Sequence, residues 1–245
     1  MLGGFMELKG KTALVTGGTD GIGLEIARQM MAKGATVIVC GRREDVLASA
    51  RQEGLEAIQA DLSTASGCAE LAATLAGREL DILINNAGMS GNFGPGEPLD
   101  LALTDQAIFL NLNAPLHLIG HLLPGLLKRP EASIVNVTSG LAIAPRAGGP
   151  VYCATKAGLR SFTQSLRHNL RDTKVHVIEA LPPVVDTAMT RGRVNGKKMS
   201  AKECAAEIVD AIATNAPEAN VGMVKLLRLV YSMSPALAQR IMIRF

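Results

Sequence analysis

Tyr152 and Lys156 stand four residues apart in the run Tyr152-Cys153-Ala154-Thr155-Lys156, and Ser139 precedes the tyrosine by thirteen positions. On a helix, residues i and i+4 share a face, which would set a phenol beside an ammonium. A phenol with a pKa of about 10 is a poor acid or base at neutral pH. A cation about 5 Å away, at an effective dielectric of about 20, favours phenolate by on the order of 3 kcal/mol, roughly two pKa units. That brings Tyr152 into range for giving a proton to a carbonyl oxygen or taking one from an alcohol. Ser139 can hold the same oxygen by a hydrogen bond. A Tyr and a Lys at this spacing also occur by chance on surface helices, so the pair gains meaning only from other motifs at the right distances.

One such motif is Thr16-Gly17-Gly18-Thr19-Asp20-Gly21-Ile22-Gly23, placed where a strand should end and a helix begin. Gly17 permits a tight turn, Gly21 lets backbone approach a pyrophosphate, and Gly23 allows close packing. Thr19, Asp20 and Ile22 complete the turn, and the helix N-terminus supplies donors and a favourable dipole for an anion. The spacing is GxxxGxG and not the general dinucleotide fingerprint GxGxxG, and such glycines can also mark an ordinary tight turn. The next strand ends Cys40-Gly41-Arg42-Arg43 with no acid to accept from a ribose 2′-hydroxyl. Arg42, with Arg43 beside it, suits a 2′-phosphate, which favours NADP(H) over NAD(H). If the two arginines only solvated a helix start, they would oppose its dipole. Asp61, followed by Leu62, is placed to accept from an adenine amino group, and Asn86-Ala87-Gly88 forms a compact turn able to pass beneath the cofactor. Either can instead be an ordinary Asx cap at a strand end, which is the commoner role for such residues.

These motifs need a frame, and the patterning supplies one. Apolar, β-branched runs at Thr12–Thr16, Thr36–Cys40, Glu56–Ala60, Ile82–Ile84, Ser133–Val137 and Val175–Ala180 alternate with helix-like stretches. The latter are Gly23–Lys33, Arg43–Glu53, Gly67–Ala76, Leu103–Leu127 and Tyr152–Arg171. Such alternation predicts an α/β fold, a doubly wound parallel sheet with helices on both faces in three layers. With 245 residues and no linker or repeat, the chain reads as a single domain. Its four cysteines lack metal or disulfide spacing, and no signal peptide or membrane-spanning run is present, so a reduced cytoplasmic protein without a metal site is expected. The net charge of +3 hides an asymmetry: residues 191–202 and 221–245 hold nine cations and no acid, leaving −6 on the remainder. That balance, with 3% aromatics, argues against nucleic acid as a partner.

TGGTDGIG, NNAG, Ser139 and YCATK appear in an order and spacing that closely resemble the short-chain dehydrogenase/reductases, over residues 12 to about 187. The resemblance implies an NAD(P)-dependent Rossmann-type oxidoreductase in which Tyr152 is the general acid/base and Ser139 anchors the substrate oxygen. Lys156 would activate the tyrosine and bind the nicotinamide ribose, and Asn111 would hold a proton-relay water. It further implies a homodimer or homotetramer. The expected reaction interconverts a carbonyl and a secondary alcohol; an NAD-linked alcohol dehydrogenase, or a cofactor-sensing or membrane-recruited regulator without turnover, are the alternatives. Leu141, Ile143, Ala144, Pro145, Val184 and Met189 are expected to line an apolar pocket, which tilts the substrate toward a hydrophobic ketone or alcohol.

Two departures from the family stand out. The run Leu181-Pro182-Pro183-Val184-Val185-Asp186-Thr187 has a second proline where the family has glycine, while Pro182, Val185 and Thr187 remain aligned with the nicotinamide. The C-terminal strand ending in Asp-Gly-Gly is missing, with Val221-Gly222-Met223 a poor replacement. The double proline, the YCATKAGLRSFTQSLRHNLRD run and a tail containing SPALAQRI look like the branch that includes the oxidoreductase encoded beside lipoteichoic-acid D-alanylation genes. Residues 188–202 are expected to form a mobile loop over the substrate. The basic, amphipathic tail from 221 onward, with Ser234-Pro235 as a helix break and restart, is read as packing against the domain or a second subunit, as a lid over the cleft, or as an interfacial membrane contact.

Overall fold

The structure is a computed structural model that describes residues 5–91, 98–192 and 198–244. The sheet core alternates strand and helix: β1 (Thr12–Thr16), α1 (Gly21–Ala32), β2 (Thr36–Gly41), α2 (Glu44–Gln52), β3 (Glu56–Gln59), α3 (Ala65–Thr74) and β4 (Ile82–Asn85). Then follow α4 (Leu101–Ile108), α5 (Ala114–Leu126), β5 (Ala132–Val137), α6 (Pro150–Asn169) and β6 (Val175–Leu181). The chain ends with β7 (Val185–Asp186), β8 (Met199–Ser200), α7 (Ala201–Ala213), β9 (Glu218–Asn220), α8 (Val224–Met233) and α9 (Pro235–Met242). Seven strands form one sheet in the order β3-β2-β1-β4-β5-β6-β9, every pair parallel. The order reverses between β1 and β4, and there the carboxyl ends of the strands open the crevice in which such sheets bind ligands.

The pleat explains why the strands are apolar throughout. Along β1, Ala13 and Val15 face one core, built with Ile26 and Met30 of α1 and Ile208 and Ile212 of α7. Leu14 between them faces the other core, with Leu71 of α3, Leu118 of α5 and Leu166 of α6. Successive side chains point to opposite faces, so a sheet covered by helices on both sides needs no polar alternation.

The expected elements match the observed ones within a few residues, with two exceptions. The single helix expected over Leu103–Leu127 is interrupted by a π-helical turn at Phe109–Asn113, which separates α4 from α5. The seventh strand is present where its absence was expected: Glu218–Asn220 pairs with Glu179–Leu181 of β6, and Val221-Gly222-Met223 comes after it. The capping box Ser200–Glu203 starts α7. Ser234 caps α9 by accepting from Leu237 N, with Pro235 in the first turn.

Of the three readings of the tail, the packing contact is visible. Val224 is buried against Ile143 and Leu181, with Leu227 and Tyr231 alongside. Lys225 and Arg228, cations without acids nearby in sequence, pair with Glu207 and Glu218 of the domain. The outer side leaves Met223, Leu226, Leu229, Met233, Leu237 and Ile241 exposed. Among the described residues no helix is long and apolar enough to cross a membrane. Of the expected loop at 188–202, the structure shows a 3-10 turn at Ala188–Thr190 and strand β8, while residues 193–197 lie outside the described residues.

Candidate active site

The glycine turn is built by Thr16 and the Asn86 turn. Thr16 Oγ1 accepts from the amides of Asn86 and Ala87, both at 3.0 Å, and Asn86 Nδ2 donates to the carbonyls of Thr16 and Gly17. Asn86 and Ala87 thus brace the turn, and the Asn86 side chain is spent on it. A Cβ at Gly23 would meet Asn86 Nδ2 and Gly17 O at 2.4 Å, so only glycine fits there. Gly17 and Gly21 have φ of +60° and +54°, the left-handed region that glycine enters at no steric cost. Asp20 caps α1 by accepting from Gly21 N, Thr187 Cγ2 lies against Gly21, and Ile22 packs on the core.

At the end of β2, a Cβ on Gly41 would lie 2.9 Å from Thr19 Oγ1, so Thr19 packs against the bare backbone there. Arg42 is exposed there, and among the described residues its guanidinium has no hydrogen bond or ion pair, although its charge contributes to lowering the Asp61 pKa. Arg43 makes a loose 3.9 Å pair with Asp45. Asp61 Oδ1 accepts from the amide and hydroxyl of Ser63, the Asx arrangement, and those bonds hold its carboxyl below the usual range. Leu62 is buried. An exposed arginine at this strand end, with no partner among the described residues, fits a dinucleotide bearing a 2′-phosphate.

Ser139, Tyr152 and Lys156 come together where β5 ends and α6 begins. Ser139 Oγ accepts from Leu141 N as the cap of the 3-10 turn Gly140–Ala142, and it hydrogen-bonds Tyr152. Lys156 is 4% exposed; its Nζ donates to Val137 O at 2.8 Å and lies 5.7 Å from the centre of the Tyr152 ring. Gly88 touches this group, since a Cβ there would be 3.0 Å from Asn111 Oδ1 and 3.7 Å from Lys156 Nζ. The buried Asn111 side chain accepts from Met89 N and donates to Met89 O, both at 2.8 Å, and also to Thr155 Oγ1. These bonds fasten the loop after β4 to the π turn.

The electrostatics correct one expectation. The Tyr152 phenol is not lowered by two units: burial pushes it up to about 12, with the Ser139 hydrogen bond and, more weakly, Arg146 pulling it back. The same burial pushes Lys156 down to about 8. Desolvation disfavours both charged forms, and neither residue's charge is among the causes of the other's shift.

Around the nicotinamide-aligned strand end, Pro182 O accepts from Gly140 N and ties this turn to Ser139's. The Val185 side chain is buried in the core, so only its backbone is available to a ligand. Thr187 and Thr190 form a reciprocal capping box. Leu141 and Val184 are half-buried and Met189 is exposed, whereas Ile143, packed against α8, and Ala144 are buried and do not line an open pocket.

Sequence reasoning missed a charged brace behind Ser139. Glu179, fully buried on β6, accepts from Thr138 Oγ1 at 2.7 Å and pairs with Arg160 at 2.6 Å; Arg160 also reaches Glu218, which Arg228 of α8 contacts in turn. Two signals were on the page: Arg160 extends the 152, 156 spacing by another four residues, and Glu179 interrupts an otherwise apolar strand.

A parallel seven-stranded sheet with a glycine turn after β1 and a Ser-Tyr-Lys group at the mouth of the crevice defines a dinucleotide-dependent oxidoreductase of the Rossmann type. The model of the short chain dehydrogenase family matches residues 11–198, and the chain belongs to that family. It is 45% identical over 192 residues to the uncharacterized oxidoreductase DltE of Bacillus subtilis, covering 76% of each chain. It is 34% identical over 177 residues to the NADP-dependent 3-hydroxy acid dehydrogenase YdfG of Salmonella typhi, covering 70% of this chain and 71% of that one. A short chain dehydrogenase from Burkholderia cenocepacia, solved in complex with NADP, superposes with a TM-score of 0.86 at 25% identity, over 96% of this chain and 98% of that one.

Proposed function

We propose that residues 1–245 form one NADP(H)-binding unit that interconverts a carbonyl and a secondary alcohol, with an apolar ketone as the substrate to be reduced. The observation that carries this reading is the convergence of Ser139, Tyr152 and Lys156 beside Gly88 and Asn111. The cofactor supplies a hydride when bound; the remaining work falls to the chain. Ser139 and Tyr152 hold the substrate oxygen, and Tyr152 delivers a proton to it as negative charge develops. A phenol that keeps its proton to about pH 12 is ready to donate throughout the physiological range. Lys156 lies near the ring and is positioned to stabilise the phenolate left behind. Gly17, Gly21 and the α1 N-terminus would receive the pyrophosphate, Arg42 the 2′-phosphate, and Leu141, Val184 and Met189 the apolar body of the substrate. The NADP named for the Burkholderia structure and the Salmonella enzyme supports the same cofactor here.

Titration with NADPH and NADH, followed by turnover of ketones, tests the reading. NADPH should bind tighter than NADH, and Tyr152→Phe should cut turnover by about 10²- to 10⁴-fold while reducing NADPH affinity far less. Preference for NADH, or a Tyr152→Phe protein that reduces ketones at the normal rate, would overturn it.

A further inference from the structure

Arg146 lies between Ser139 and Tyr152 in sequence, and its charge is felt at the Tyr152 phenol. Its Nε is buried and has no hydrogen-bond partner, and among the described residues its guanidinium makes no ion pair. Nε packs 3.6 Å from where a Cβ on Gly149 would be. Gly149 is the N-cap of the twenty-residue helix α6, which has neither a side-chain cap nor an acid in its first turn. A cation at a helix N-terminus opposes the dipole, and a buried guanidinium donor without an acceptor is costly. The segment is pinned in this place: Ala147 N donates to Ile243 O beyond α9, Gly140 N donates to Pro182 O, and the Cys153 thiol lies 3.9 Å from Arg146 O. Two sources of positive potential therefore meet, without a counter-ion among the described residues, beside the residue that would hold the substrate oxygen.

We infer that Arg146 receives a carboxylate carried by the substrate, so that the chain acts on oxo acids and hydroxy acids with an apolar body in preference to neutral ketones and alcohols. This deepens the proposed function and rests on it for the position of the reacting oxygen. A planar guanidinium fork matches a carboxylate in bidentate fashion, and the α6 N-terminus adds to the attraction. Arg146 would thus be a specificity residue, setting which substrates present their carbonyl to Tyr152 without touching the transferred proton.

The test has a binding arm and a turnover arm. Calorimetric titrations, with and without NADP⁺, would use straight-chain carboxylates from butanoate to decanoate and their methyl esters, on the wild type, Arg146→Gln and Arg146→Lys. The best carboxylate should lose about tenfold or more in affinity in Arg146→Gln, as expected for a charge-assisted hydrogen bond. Arg146→Lys should keep part of that affinity, and ester binding should be unchanged. In the turnover arm, kcat/KM for β-oxo-octanoate should exceed that for its methyl ester, and Arg146→Gln should erase the difference mainly through KM. Carboxylates that fail to bind the wild type, or that bind Arg146→Gln equally well, would overturn the inference, as would equal losses for acid and ester. If the carboxylates bind through Arg146 but neither compound is turned over, the carboxylate site at Arg146 stands while the proposed reaction, and with it the substrate class, falls.

Discussion

The turn after β1 and the segment between Ser139 and Tyr152 both leave a strand end and enter a long helix, yet they are held in opposite ways. The first is fixed by its immediate surroundings: Thr16, Asn86 and Ala87 supply the hydrogen bonds, glycines remove the side chains that would collide, and Asp20 caps α1. The second has no side-chain helix cap and is held from far along the chain, by Pro182, by Val224 packed on Ile143, and by the carbonyl of Ile243. A nucleotide is the same molecule for every enzyme that uses it, so a self-contained cradle serves. A substrate site assembled from distant pieces can change one wall while leaving the cradle intact.

The largest expected effect would break the substrate side at its charged brace. Glu179→Ala leaves Arg160 without its buried partner and Thr138 without its side-chain acceptor, which should cost about 3 kcal/mol in urea unfolding. It should lower kcat more than NADPH affinity; equal losses of both would show that the two regions are not separately held. On the nucleotide side, Gly23→Ala would force a Cβ within 2.4 Å of a backbone oxygen. The expected loss is about 2 kcal/mol of stability, with NADPH binding impaired, and normal NADPH affinity in this variant would contradict a rigid cradle.

A smaller effect concerns pH. Lys156 titrates near 8 in the fold, below its usual value, so between pH 8 and about 10 the unfolded chain holds a proton that the native chain has released. The Lys156 contribution to stability then rises with pH across that window, by about 2 kcal/mol, against an opposite contribution from Cys40, Cys68 and Cys204, whose thiols burial pushes up to about 12, 11 and 12. Tyr152, raised to about 12, has the opposite sign above pH 10, where the unfolded chain loses a proton that the fold retains. The gap between wild type and Lys156→Met in unfolding experiments without cofactor should therefore shift by about 2 kcal/mol in favour of the wild type from pH 8 to pH 10; an unchanged gap would contradict the buried, lowered lysine. The smallest effect is Arg42→Ala, expected to cost about tenfold in NADPH affinity and little for NADH; an equal loss for both would remove the 2′-phosphate from the nucleotide side.

The contrast also explains what could be read in advance. Strands β1 to β6 were legible because a parallel strand covered on both faces is a run of apolar, β-branched residues, and Thr12–Thr16 was placed to the residue. Strand β9, Glu218-Ala219-Asn220, has no such signal; it forms because β6 offers an edge and Arg160 and Arg228 neutralise Glu218. The grouping of Tyr152 with Lys156 followed from helical spacing, but the direction of their pKa shifts did not, because burial is a property of the assembled site. Asp61 and Asn86 were recognisable as turn residues, and their partners were not. Arg146 gave no signal at all, since an arginine in a loop is unremarkable until its neighbours turn out to leave it unpaired.

The π-helical turn at Phe109–Asn113 has one more residue per turn than the helices on either side of it. Asn111 reaches Met89 from within this wide turn, and Leu118, Ile119 and Leu126 of α5 face the core just beyond it. Removing a single residue here would close the turn to an ordinary α-helix and rotate everything downstream by about 100°, swinging either Asn111 away from Met89 or the apolar face of α5 away from the sheet. Along this stretch the number of residues is itself a structural requirement: the segment can absorb a change of side chain more readily than a change of length.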